Sequence, residues 1–132
     1  MQAQVADTAV PRALRGWFIF HFWVDIIFAV PLFVAPHWFL GQLGWTEIDP
    51  STARITAAAL FGIGIQSFLG RDEPRQTFRA FLTLKVIWST FATAGLAISA
   101  FQGGPPAMWA LALFWAGFCG AWWAWRIRLA RP

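Results

Sequence analysis

No charged side chain occurs between Lys85 and Arg126, and the one break in the apolar character of that stretch is Gln102-Gly103-Gly104-Pro105-Pro106. A helix rises about 1.5 Å per residue, so about 20 apolar residues cross a hydrocarbon core about 30 Å thick. The stretch therefore predicts two membrane spans around a turn. A soluble domain of this length buries too little surface to hide so much apolar area. With lipid as the solvent, every backbone N–H and C=O must be satisfied within the chain. The expected fold class is all-α: an integral membrane four-helix bundle.

The rest of the chain agrees. Only 12% of the 132 residues are charged, against about 25% in soluble proteins. One transmembrane domain, residues 1–132, is the expectation, because a soluble second domain needs a long polar stretch. The net charge of +4 and the pI near 11.1 arise from arginines flanking apolar runs. They point to membrane orientation and against nucleic acid as a partner. Cys119 is the single cysteine, so there is no intrachain disulfide and no Cys/His spacing for a metal. No cofactor motif appears, and Gly62-Ile63-Gly64 lies mid-span rather than after a strand, unlike a nucleotide loop.

Spans are expected over about 15–35, 53–70, 78–101 and 106–126, with an interfacial segment over 36–50 carrying Trp38, Phe39, Leu40, Leu43 and Trp45. Asp49-Pro50-Ser51-Thr52 is a helix start, with Asp49 to cap exposed amides and Pro50 suited to the first helical position. Arg12 and Arg15 precede the first span, Arg71, Arg75 and Arg79 separate the second and third, and Arg126, Arg128 and Arg131 follow the fourth. Four spans put all three basic segments on one side, and the positive-inside rule then orients both termini to the cytoplasm. The expected location is a bacterial inner (plasma) membrane, multi-pass.

Three strongly polar side chains fall inside apolar runs: His21, Asp25 and Lys85. An Asp or Lys at a helix centre costs about 2.5–3.5 kcal/mol on insertion scales, so such residues mark candidate sites. His21 and Asp25, four apart, share a helix face. Asp25 lies about 15 Å along the helix from Arg15, a depth Lys85 matches on the parallel third span. An Asp25–Lys85 ion pair is therefore allowed, with Gln66 and Ser89 near it in the cytoplasmic half. The alternatives are that Lys85 snorkels to the interface and that His21 and Asp25 are structural glue.

Small residues recur every four positions: Ala58 and Gly62 in the second span, and Ala112, Ala116 and Gly120 in the fourth. Such rows let backbones approach, within the bundle or against another protein or a second copy. Trp122-Trp123-Ala124-Trp125, beside Arg126, predicts an interfacial anchor.

Leu43-Gly44-Trp45-Thr46-Glu47-Ile48-Asp49-Pro50, then Ala53-Arg54 and Ala57-Ala58-Ala59-Leu60-Phe61-Gly62-Ile63-Gly64, preceded by Pro31-Leu32-Phe33-Val34-Ala35-Pro36, resembles the loop-to-second-helix region of small prokaryotic four-helix membrane proteins of the broad DoxX-like type. The founding type is associated with thiosulfate:quinone oxidoreduction, and no functional residue of it matches here. The resemblance implies architecture alone. Without a catalytic set, the expected function is non-enzymatic: an accessory or interaction subunit of a larger membrane assembly. The alternatives are a small transporter or proton-coupled carrier acting as a dimer, and a membrane-embedded binder of lipid, quinone or pigment.

Overall fold

The computed structural model describes residues 9–131. Among them the chain is helical throughout: α1 (Arg12–Val34), α2 (Pro36–Gln42), α3 (Pro50–Leu69), a 3-10 turn (Gly70–Asp72), α4 (Arg75–Phe101) and α5 (Ala107–Ala130). Four helices, α1, α3 with its 3-10 turn, α4 and α5, are long and apolar enough to cross a membrane. The chain is a multi-pass helical membrane protein.

α1, α3 and α4 begin about three residues before the apolar runs that announce them. Their starts are set by chain punctuation rather than by hydropathy. Pro11 and Pro74 occupy the cap positions of α1 and α4, and Pro50 is the first residue of α3. At α3 the Asp49 carboxylate accepts from the amides of Ser51 at 3.0 Å and Thr52 at 3.2 Å, and from the Thr52 hydroxyl. Those bonds, led by the Thr52 hydroxyl, hold its carboxyl below the usual range. α5 continues past the apolar run to Ala130, because arginine is a good helix former and Arg128 is exposed.

α2 lies within the interfacial segment that the sequence marks out. It and α4 end alike. The Trp45 amide bonds the Leu40 carbonyl and the Gly44 amide that of Gly41; Gly104 likewise bonds Ser99 and Gly103 bonds Ala100. These are Schellman closures, which need a left-handed residue next to the cap. Gly44 (φ 94°) and Gly103 (φ 93°) supply it.

The two closest pairings are α1 with α3 and α4 with α5. The buried face of α3 is Ala53, Ala57, Leu60, Gly64 and Ser67, and α1 brings Ala29 to the core. Small residues let those backbones approach. Rings fill the space between the two pairs. Phe18 of α1 meets Phe78 of α4 at 4.5 Å and Trp122 of α5 at 5.8 Å, and Phe28 meets Trp115 at 5.5 Å.

One end of the bundle is an arginine collar. Arg15 bonds the Arg71 carbonyl. Arg71 bonds the Phe68 carbonyl at 2.7 Å, and Arg75 bonds those of Leu129 at 3.1 Å and Arg131 at 2.8 Å. The guanidiniums thus answer the orphan carbonyls at the ends of α3 and α5, where the helix dipole favours a cation. The beginnings of α1 and α4 therefore share one end with the ends of α3 and α5.

Candidate functional site

His21, Asp25, Lys85 and Ser89 are all buried, as is Ser67. Lys85, on α4, does not snorkel. Only 2% of its surface is exposed. Its ammonium nitrogen turns inward, 3.1 Å from His21 Nδ1 and donating to Ser67 Oγ at 2.6 Å. Ser67 in turn donates a hydrogen bond from its hydroxyl to the Ile63 carbonyl at 2.6 Å. The same Nδ1 also lies 3.0 Å from Asp25 Oδ2. Asp25 and Lys85 thus make no direct ion pair; His21 stands between them.

Rings close this cluster off. Phe118 and Trp122 stand edge-on to the His21 ring at 4.8 and 5.1 Å. The Lys85 ammonium lies over Phe18 at 4.9 Å and over Trp122 at 5.0 Å. Both positions favour a cation against the ring face. Trp122 is itself 1% exposed. It is therefore a wall of the cluster and not the interfacial anchor its sequence neighbourhood suggests. Trp123 is the exposed member of that run.

Two features of this cluster bear on its chemistry. Asp25 has no exposed surface, its Oδ1 has no hydrogen-bond partner among the described residues, and its Oδ2 meets only His21 Nδ1 at 3.0 Å. Buried polar groups are nearly always satisfied. In addition, His21 Nδ1 faces two partners, and one imidazole nitrogen either donates or accepts. A proton on Nδ1 serves Asp25; a bare Nδ1 serves Lys85. Moving one proton between ring nitrogens, or onto Asp25, switches which neighbour is satisfied.

Gly64 makes this geometry possible. A Cβ at that position would sit 2.7 Å from Asp25 Cβ and 3.2 Å from Oδ2. α3 therefore presses its bare backbone against the carboxylate.

Several sequence expectations need correction. Gln66 is half-buried beside Gly70 and does not join the cluster; its neighbour Ser67 does. Ser89 is buried near it but donates to its own helix, to the Val86 carbonyl at 3.3 Å. The small-residue rows divide. Ala112 is buried and Ala116 half-buried, but Ala58, Gly62 and Gly120 face outward. A Cβ on Gly62 or Gly120 would meet no atom within 4 Å. The packing face of α3 is turned by about two residues, onto Gly64. Among the described residues no group of His, Cys, Asp and Glu could hold a metal. No family model, no curated protein and no solved structure matches this chain.

Proposed function

We propose that this chain is a small proton-coupled carrier whose exchanging groups are Asp25, His21 and Lys85. The observation that carries this reading is the wholly buried Asp25 carboxylate, whose Oδ1 has no hydrogen-bond partner among the described residues and whose Oδ2 meets only an imidazole nitrogen shared with Lys85. Ionisable groups inside a membrane bundle are characteristic of proton relays. A group of this kind is costly in a purely structural role.

The arginine collar supports an orientation with both termini in the cytoplasm of a bacterial inner membrane. In proteoliposomes containing a trapped pH indicator, an imposed membrane potential should drive proton uptake. Asp25→Asn should abolish it. Uptake by that variant at the wild-type rate would remove Asp25 from the mechanism.

A second reading rests on a different observation. The outward faces at Ala58, Gly62 and Gly120 have no helix against them among the described residues. They suit close contact with another membrane helix, from a second copy or from a larger assembly in which this chain is an accessory subunit. Gly62→Leu and Gly120→Leu should leave the melting temperature of the isolated chain unchanged. They should shift its oligomeric state in detergent, or its co-purification with a membrane partner. A lowered melting temperature with association intact would show that these faces pack within the chain.

A further inference from the structure

At the end opposite the arginine collar, α1, α2 and α3 and the loop-side parts of α4 and α5 enclose a cavity of about 370 Å³. Its size is at the lower end of the range for small-molecule sites, about 300–1,000 Å³. Asp25, His21 and Lys85 do not line it, so it stands apart from the proton-exchange reading. Along α3 the lining runs from Thr52 to Leu60, about 12 Å of helix rise. Phe28, Leu60, Leu96 and Trp115 make walls with no polar side-chain atom beyond the indole N–H. Such walls fit an alkyl chain.

The mouth has a different character. Glu47 and Asp49 line it, and no basic side chain among the described residues does. Both acids are exposed. The capping bonds of Asp49 favour its ionised form. The nearest arginine in sequence, Arg54, points its Nε at the Phe33 carbonyl, 3.2 Å away. Phe39 and Trp45 add ring faces among the lining residues, and ring faces attract ammonium ions. A phosphate, sulfate or carboxylate head would instead meet two carboxylates.

We infer that this cavity binds an amphiphile by one alkyl tail, with an ammonium head held at the Glu47–Asp49 mouth. A free alkylamine and the ammonium headgroup of a membrane lipid share this chemistry.

The test uses the full chain in nanodiscs of phosphatidylglycerol alone. Dodecyltrimethylammonium, dodecanol and dodecyl sulfate are added in turn. Bound molecules are counted by native mass spectrometry, with empty nanodiscs as the blank. One dodecyltrimethylammonium should be retained per chain, roughly tenfold more tightly than dodecanol, which corresponds to about 1.4 kcal/mol, and dodecyl sulfate should be retained least. Thr56→Trp fills the cavity from an exposed lining position. It should abolish retention while the circular dichroism spectrum stays that of the wild type. Glu47→Gln should remove most of the preference for the cation and keep the alkyl binding. Phosphatidylethanolamine added to the nanodiscs separates the two sources. Its displacement of dodecyltrimethylammonium, with a lipid adduct in its place, identifies a headgroup; failure to displace identifies a free amine. Equal retention of all three probes, or retention unchanged in a folded Thr56→Trp variant, would overturn the inference.

Discussion

Leucine in place of Gly64 will prevent the α1–α3 pair from closing, and the protein will be lost from the folded fraction on extraction into mild detergent. A Cβ alone at this position comes within 2.7 Å of the Asp25 Cβ. That atom is fixed to the α1 backbone and cannot swing aside as the tip of a long side chain can. The two helices must separate, and every close contact along Ala29, Ala53 and Ala57 loosens together. Overpacking a tight core costs about 1–3 kcal/mol per insertion. Even Gly64→Ala should therefore lower the melting temperature, with a much larger loss for leucine. In lipid, where van der Waals packing drives association, few other terms compensate. Gly62→Leu, two residues away on the outward face, is the internal control. A Gly64→Leu variant as stable as the control would show that α1 and α3 do not approach closely at Asp25.

The contrast between Gly64 and Gly62 also marks where the sequence stops being informative. Span positions are legible because lipid thickness sets a length, and the start of α3 because Asp49 and Pro50 mark it chemically; the starts at Pro11 and Pro74 lie before the apolar runs, where hydropathy does not announce them. His21, Asp25 and Lys85 stand out because each is costly in lipid. Which face of a helix turns inward is much harder to read. In a soluble bundle, polar residues mark the outside; here both faces are apolar. Spacing by fours favours Ala58 and Gly62, whereas the buried stripe alternates fours and threes through Ala53, Ala57, Leu60, Gly64 and Ser67. That alternation, with a serine at its end, is the signal that distinguishes Ser67 from Gln66. Trp122 is misleading for a related reason. A tryptophan next to Arg126 suits the interface, yet the space between the two helix pairs needs large rings, and Trp122 lies on the face that supplies them. The cavity at the loop end has no sequence signature, since it depends on α2 folding back beside α3.

Lys85→Met will cost more than Asp25→Asn and Lys85→Met together. Removing the ammonium leaves the Asp25 carboxylate wholly buried, with His21 Nδ1 at 3.0 Å and no cation to offset its charge among the contacts of the described residues. Breaking a buried charge arrangement by deleting one member typically costs about 3–5 kcal/mol, because the other charge is left uncompensated. The amide of Asp25→Asn has no charge to desolvate, so the double variant should recover much of that loss. A double-mutant cycle read by denaturant unfolding in detergent measures this directly, as a double-variant cost below the sum of the single ones. His21 sits between the two groups, 3.0 Å from one and 3.1 Å from the other. In a His21→Leu background the polar bridge is gone, and the coupling should shrink. The double variant should also be silent in the proton-uptake assay despite its recovered stability. That combination separates carrying protons from holding the bundle together. Strictly additive single losses, unchanged by His21→Leu, would mean that Asp25 and Lys85 are energetically independent and that the imidazole links nothing.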